Sequence, residues 1–346
     1  MCRPWRQHHK QDLKAPDNEI QQNREAYAPP LINMNITICF ATNDNYAPHA
    51  AALIVSIMVN KRPEDELNFY CFADDLSTEV RQWLCEMEQQ WKFTLHFIDI
   101  DDSVFQHLPA FNGNRTTYFR LMMARFLPET LEKILYLDCD MIVISSLSEL
   151  FATDIEDKYA AVVVAAASMP HLASLNLPYP YLNAGMVLFN LKQYRQDRME
   201  ERAFDFAERH REMLLYPDQD IFNVIFGGNV VFVPAKWNCS QHYRITFFPK
   251  INQYILRMIG WKFSEGFWRE LAEAERKPCI VHYTNTKPWD GGCNSPLAGE
   301  YWKYARQTPF YEHIRFSWRR IWRNVLNVLL LGAYPIVHHL IMIRKR

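Results

Sequence analysis

The run Lys133-Ile134-Leu135-Tyr136-Leu137-Asp138-Cys139-Asp140-Met141-Ile142-Val143-Ile144 places two carboxylates two residues apart inside an otherwise apolar, β-branched segment. Apolar residues on both sides of such a run read as a strand covered on both faces, hence a parallel sheet between layers of helix. In an extended chain, side chains at i and i+2 share a face, so Asp138 and Asp140 are expected to converge. Two like charges pressed together near a core are unfavourable unless a proton or a cation lies between them. Oxygen ligands of this kind suit Mg²⁺ or Mn²⁺, which commonly bind in part through substrate phosphates. The segment therefore predicts a divalent-cation site that holds a phosphorylated substrate.

Asp-x-Asp is also frequent on solvated loops, where it carries no chemistry; here the apolar flanks favour a functional pair. The strand-end nucleophiles of haloacid-dehalogenase-type phosphatases offer a rival reading. Those continue with a small polar residue, typically Thr, whereas Met141-Ile142-Val143 follows in this chain.

At 346 residues, 49% of them hydrophobic and with a formal net charge of −1, the chain is long enough for one large α/β domain. That balance excludes wholesale disorder and gives no electrostatic case for nucleic acid. The eight cysteines stand singly with no Cys-x-x-Cys pair, which predicts a reducing compartment and no zinc site. The N-terminus lacks the apolar core of a signal peptide, so a cytoplasmic location is expected.

Residues 1–33 are polar, aperiodic and closed by Pro29-Pro30, and are expected to be a disordered extension. From Asn35 the pattern alternates: strand Asn35–Ala41, helix Ala47–Asn60, strand Leu67–Ala73, a helix capped by Ser77, strand Lys92–Ile100, helix Thr117–Phe126, then the Asp138 strand. Further strands are expected at Ala160–Ala166, Met186–Asn190, Val230–Val233 and Cys279–His282, with helices near 197–215 and 218–226. This order predicts a doubly wound, mostly parallel sheet with ligands at the carboxyl ends of its strands. One domain is expected over 34–310. A basic tail, 311–346, follows, with Trp318-Arg319-Arg320-Ile321-Trp322-Arg323 ahead of two apolar stretches. It fits a helix lying in the interface of an anionic bilayer, or a helix docked on the domain; Asn327, Pro335, His338 and His339 weigh against a full span.

Six short segments in order complete the pattern: Phe40 to Tyr46, Thr116 to Leu121, Leu135 to Asp140, Leu182 to Gly185, Pro217 to Asn223 and His282 to Trp289. Together they resemble the retaining glycosyltransferases of family 8, which include glycogenin and the bacterial lipopolysaccharide glucosyl- and galactosyltransferases. The resemblance covers about residues 35–310. It implies a Rossmann-like GT-A fold, a UDP-glucose or UDP-galactose donor, a glycan or glycolipid acceptor such as lipopolysaccharide, and Mn²⁺ or Mg²⁺ bound by Asp138, Asp140 and His282.

The same resemblance assigns Ala41, Asn43, Asp44, Asn45 and Tyr46 to the uridine pocket. A Tyr ring can stack on a pyrimidine, and Asn43, where the family usually has Asp, keeps an acceptor for the uracil N–H. It assigns Arg120 to the nucleotide sugar, and Asn183, Ala184 and Gly185 to the donor pocket, the glycine allowing close approach. Asp218 and Asp220 would bind sugar hydroxyls. Lys287 and Asn285 would meet the diphosphate, although Asn285 replaces a common Gly and the interval from His282 to Lys287 is short. Gln219 would lie near the reacting carbon. A neutral amide is a poor nucleophile, which favours front-side attack over a covalent intermediate. A nucleotidyltransferase and a non-catalytic UDP-sugar binder are the competing functions. The first would show a Gly-rich basic loop after its first strand, and 43–46 has neither Gly nor Lys. Loops near 168–182 and 240–275 are expected to set acceptor choice.

Overall fold

The computed structural model describes residues 33–108, 115–165, 169–177, 180–241, 248–258, 265–284, 286–330 and 332–333. The extension at 1–32, Asn285, parts of both expected acceptor loops and the tail beyond 333 lie outside the described residues.

Among the described residues ten strands carry the fold: β1 (Asn35–Thr42), β2 (Glu66–Ala73), β3 (Thr94–Asp99), β4 (Lys133–Leu137), β5 (Met141–Val143), β6 (Ala160–Ala165), β7 (Tyr181–Asn190), β8 (Val230–Phe232), β9 (Cys239–Ser240) and β10 (Ile280–His282). Seven form one sheet in the order β3-β2-β1-β4-β7-β6-β8. Pairing is parallel except at β7, which runs antiparallel to both β4 and β6. The expected α/β class with a mostly parallel sheet is therefore observed. A second, three-stranded sheet, β5-β10-β9, stands beside it.

The Asp138 run departs from the expected single strand. β4 stops at Leu137, residues 138–140 turn (Met141 N–H to the Asp138 carbonyl, 3.2 Å), and β5 enters the second sheet. The two carboxylates thus converge at a corner between sheets, not by strand alternation. Asp-Cys-Asp contains no Gly or Pro, and two short buried strands leave the same apolar pattern as one long one.

Helix α1 (Ala47–Asn60) opens with Pro48 in its first turn and is buried over most of its length, wedged between β1, β5 and helix 298–305. Helix α2 (Thr78–Trp91) begins where expected, with the Ser77 hydroxyl accepting from Val80 N–H at 3.3 Å. The helix expected over 117–126 is instead a 3-10 segment, Thr116–Leu121, followed by one α-turn, Met123–Phe126. Tyr118 to Leu121 are all buried, so no solvent face exists to support an amphipathic helix there.

Between α1 and the 286–290 turns, His49 stacks on Trp289 at 3.6 Å and 16° and bonds the Tyr301 hydroxyl through Nδ1 at 2.7 Å. Burial first, and the Lys287 charge second, lower its pKa from 6.5 to about 3. The folded chain therefore keeps His49 neutral where the unfolded chain protonates it, and stability is lost as pH falls below about 6.5. Urea denaturation is expected to show the advantage of wild type over His49→Phe shrinking by about 2 kcal/mol between pH 7 and pH 5. An equal difference at both values contradicts this.

Candidate active site

A cavity of about 520 Å³ opens at the carboxyl ends of β1 and β4, bordered by β7, β10 and the start of helix α3 (Pro217–Phe226). β4 delivers Asp138, whose Oδ1 accepts from Arg120 Nη2 at 2.8 Å and from the Tyr136 hydroxyl at 3.1 Å. The turn delivers Asp140. β10 pairs antiparallel with β5, His282 opposite Met141, and so carries in a residue far downstream in sequence. His282 Nε2 lies 3.1 Å from Asp140 Oδ1 and 3.7 Å from Asp138 Oδ2. One ligand atom from each of the three falls within 4.8 Å of the others.

These residues fit a hard divalent cation. Asp140 Oδ1 is buried without a hydrogen-bond partner, although its second oxygen takes the Lys287 ammonium. A Cβ added to Gly185 would overlap His282 Cε1 and lie 2.7 Å from Asp138 Oδ2. The glycine, which also lines the cavity, thus admits the imidazole and the carboxylate to one point.

Charge at the site is held by pairing. Burial alone would raise the Asp140 carboxyl, but Lys287 and His282 draw it well below the usual carboxylate range. Burial likewise works against the Lys287 ammonium, and the Asp140 charge raises it above its ordinary value. Arg120, on the 3-10 segment, is buried and lies 4.2 Å from the Tyr136 ring centroid. Its guanidinium meets Asp138, Asp218 (3.2 Å), the Ala184 carbonyl (2.7 Å) and the Thr117 carbonyl (3.2 Å). It lines the cavity and braces two carboxylates. Asp218, buried beside it, is raised by desolvation, with Arg120 opposing.

Ala41, Asn43, Tyr46, Asn183, Ala184, Asp218, Gln219 and Lys287 all line the cavity. Asp44 and Asn45 do not. The Asp44 carboxylate turns outward to accept Ser77 N–H at 2.9 Å, and Asn45 is exposed. The turn that opens α1, with Tyr46 N–H and Ala47 N–H both on the Asn43 carbonyl, sets Asn43 and Tyr46 toward the cavity and the two residues between them away from it. Asp220 also differs from expectation. Fully buried, it accepts from the Tyr181 hydroxyl, from His171 Nε2 and from Leu215 and Tyr216 N–H, the last three at 2.8 Å. It fixes the entry to α3 and is not part of the cavity wall.

Thr42, Tyr136, Tyr216, Ser240 and Asn238 also line the cavity and were not singled out by sequence. Tyr136 reads as core in an apolar strand. Asn238 belongs to no motif, and only its partner His282, 2.8 Å from its Oδ1, reveals it.

A family model described as "Glycosyl transferase family 8" matches residues 37–293. A lipopolysaccharide 1,2-glucosyltransferase of Escherichia coli is 29% identical over 74% of this chain and 74% of its own. A lipopolysaccharide 1,3-galactosyltransferase of Salmonella typhimurium is 25% identical over 80% and 79% respectively. Among solved structures, the galactosyltransferase LgtC in complex with donor and acceptor sugar analogues superposes with a TM-score of 0.68 at 23% identity, covering 79% of this chain and 96% of that one. The fold is of the GT-A type.

Gly185→Ala is expected to stay folded, losing about 1–3 kcal/mol to overpacking, and to bind Mn²⁺ at least about 10-fold more weakly by calorimetry. Unchanged Mn²⁺ affinity in the folded variant contradicts the placement of the cation.

Proposed function

We propose that this chain, which belongs to glycosyltransferase family 8, transfers glucose or galactose from a UDP-sugar to a glycan acceptor, with retention of anomeric configuration. The observation that carries the reading is the meeting of Asp138, Asp140 and His282 at one wall of a cavity that also presents Tyr46, Lys287 and Gln219. Lipopolysaccharide glucosyl- and galactosyltransferases among the relatives support a hexose donor and a bacterial surface saccharide as acceptor.

Asp138, Asp140 and His282 would hold Mn²⁺ or Mg²⁺, which when bound supplies Lewis-acid charge to the diphosphate leaving group. Tyr46, 40% exposed and edge-on to Trp289, offers its ring to the uracil, with Asn43 at the base edge. Lys287 adds a cationic charge where the diphosphate would lie, and Asn285 is assigned to the same loop. Asp218 orients sugar hydroxyls at the N-terminus of α3. Gln219 Oε1 already accepts from Asn183 Nδ2 at 3.0 Å and Ala184 N–H at 3.1 Å. An oxygen so engaged is a weak nucleophile, which favours front-side attack with Gln219 steadying the developing charge.

The catalytic unit is assigned to 34–310 and the tail to a membrane surface, on the inner face of the cytoplasmic membrane. Helix α5 (Trp318–Leu329), which follows α4 (Ala298–Ala305), is docked by one edge. Asn327 Nδ2 bonds Asn294 Oδ1 at 2.7 Å, and Gly292 N–H bonds Asn324 Oδ1 at 2.8 Å. Its other side exposes Trp318, Trp322, Val325, Val328 and Leu329 beside Arg319 and Arg323. That combination suits an anionic interface. Among the described residues no helix is long and apolar enough to cross a membrane.

Incubation with UDP-sugars and Mn²⁺ is expected to release UDP. Pyrophosphate would instead identify a nucleotidyltransferase, and tight UDP binding without turnover on any donor and acceptor would identify a binder. Asp140→Asn is expected to lower metal-dependent turnover by at least about 100-fold; a wild-type rate contradicts the mechanism. Anionic vesicles are expected to sediment the wild-type protein and release it on Trp318→Ala/Trp322→Ala substitution. Equal binding of both proteins removes α5 as the contact.

A further inference from the structure

A chain of three side-chain amides connects Gln219 to His282, and its polarity can be read from two backbone donors. Ala184 N–H points at Gln219 (3.1 Å), so the atom it meets is an oxygen, Oε1. Gly185 N–H points at Asn183 (3.0 Å), so that atom too is an oxygen, Oδ1. Asn183 must then turn its Nδ2 to Gln219 Oε1, at 3.0 Å. An amide carries its oxygen and nitrogen on opposite arms, so Asn238, 2.7 Å from Asn183 Oδ1, must donate to it through Nδ2. Asn238 Oδ1 is left facing His282 Nδ1 at 2.8 Å, and an acceptor there requires that Nδ1 carry the hydrogen. Nε2 keeps its lone pair and faces Asp140 Oδ1, the buried oxygen without a hydrogen-bond partner.

We propose that Asn238 is a positioning residue that sets the tautomer of His282 for cation binding, and that the Asn183–Asn238 relay ties this tautomer to the orientation of Gln219. The inference rests on the glycosyltransferase reading for the identity of the cation and goes beyond it in assigning this role to Asn238. Every link is anchored by groups that cannot invert. The two N–H donors belong to β7, and neither can exchange donor for acceptor. Asn238 is 3% exposed and His282 is 3% exposed, so water has little access to substitute for either partner. The arrangement matches the general way in which an imidazole ligand is held, its second nitrogen donating to a fixed acceptor.

Calorimetric Mn²⁺ titration of Asn238→Leu and Asn238→Asp, beside the wild-type protein, tests this. Asn238→Leu removes the acceptor at similar volume and is expected to weaken Mn²⁺ binding by about 10- to 100-fold. Asn238→Asp keeps an acceptor for Nδ1–H but loses the donor to Asn183 Oδ1, and is expected to bind Mn²⁺ at least about 3-fold more tightly than Asn238→Leu. Equal loss in both variants means that the residue is merely structural and overturns the proposal, as does wild-type affinity in Asn238→Leu. A second readout is independent of affinity. In the metal-free, ¹⁵N-histidine-labelled protein, His282 is expected to show a protonated Nδ1 and an unprotonated Nε2; a neutral ring protonated on Nε2 overturns it. If the wild-type protein itself binds no Mn²⁺, the glycosyltransferase mechanism has failed, an outcome distinct from failure of the relay alone.

Discussion

The site depends on an excess of negative charge at a corner from which water is largely excluded. Asp138, Asp140 and Asp218 are matched there by two cationic partners, Arg120 and Lys287. Arg120 serves two carboxylates at once, and Lys287 reaches only one oxygen of Asp140. The other oxygen stays buried and unbonded. A buried oxygen without a partner costs about 1–3 kcal/mol, more when it is charged, so its persistence marks a place built for a ligand. A cation at that point would relieve the repulsion and, in the proposed reaction, add the charge that a departing diphosphate requires.

The surrounding fold holds those groups in place against their mutual repulsion. Breaking the chain between β4 and β5 transfers it from one sheet to the other, and the turn that results presents both acids to the same space. The antiparallel β5–β10 pairing then brings His282 to that space. Gly185 sits behind them because β7 passes too close to admit a side chain. β7 also carries Asn183 and Ala184, which hold the amide of Gln219.

His282 and Gln219 were reached only through the family resemblance, whereas Asp138 and Asp140 could be found in the sequence because their chemistry needs particular residue types in a short local motif. The strand–helix alternation was legible for the same reason: α1 and α2 carry their periodicity and cap locally. What escaped was set by contacts distant in sequence. Asn238 is an unremarked residue between Trp237 and Cys239 until β10 lies beside it. Asp44 and Asn45 share a motif with Tyr46, yet the turn into α1 points them outward. Arg120 belongs to the expected motif, but its bracing of Asp138 and Asp218 was not legible, because β4 and α3 bring those partners from elsewhere in the chain. The break at Asp138–Asp140 was hidden because burial on both sides erases the difference between one strand and two.

The measurement closest to the central claim is anomalous diffraction from crystals grown with Mn²⁺ and UDP. One strong manganese peak is predicted within bonding distance of Asp138, Asp140 and His282, with diphosphate oxygens on its open side. Well-ordered UDP in the cavity with no anomalous peak at those three side chains would contradict the account.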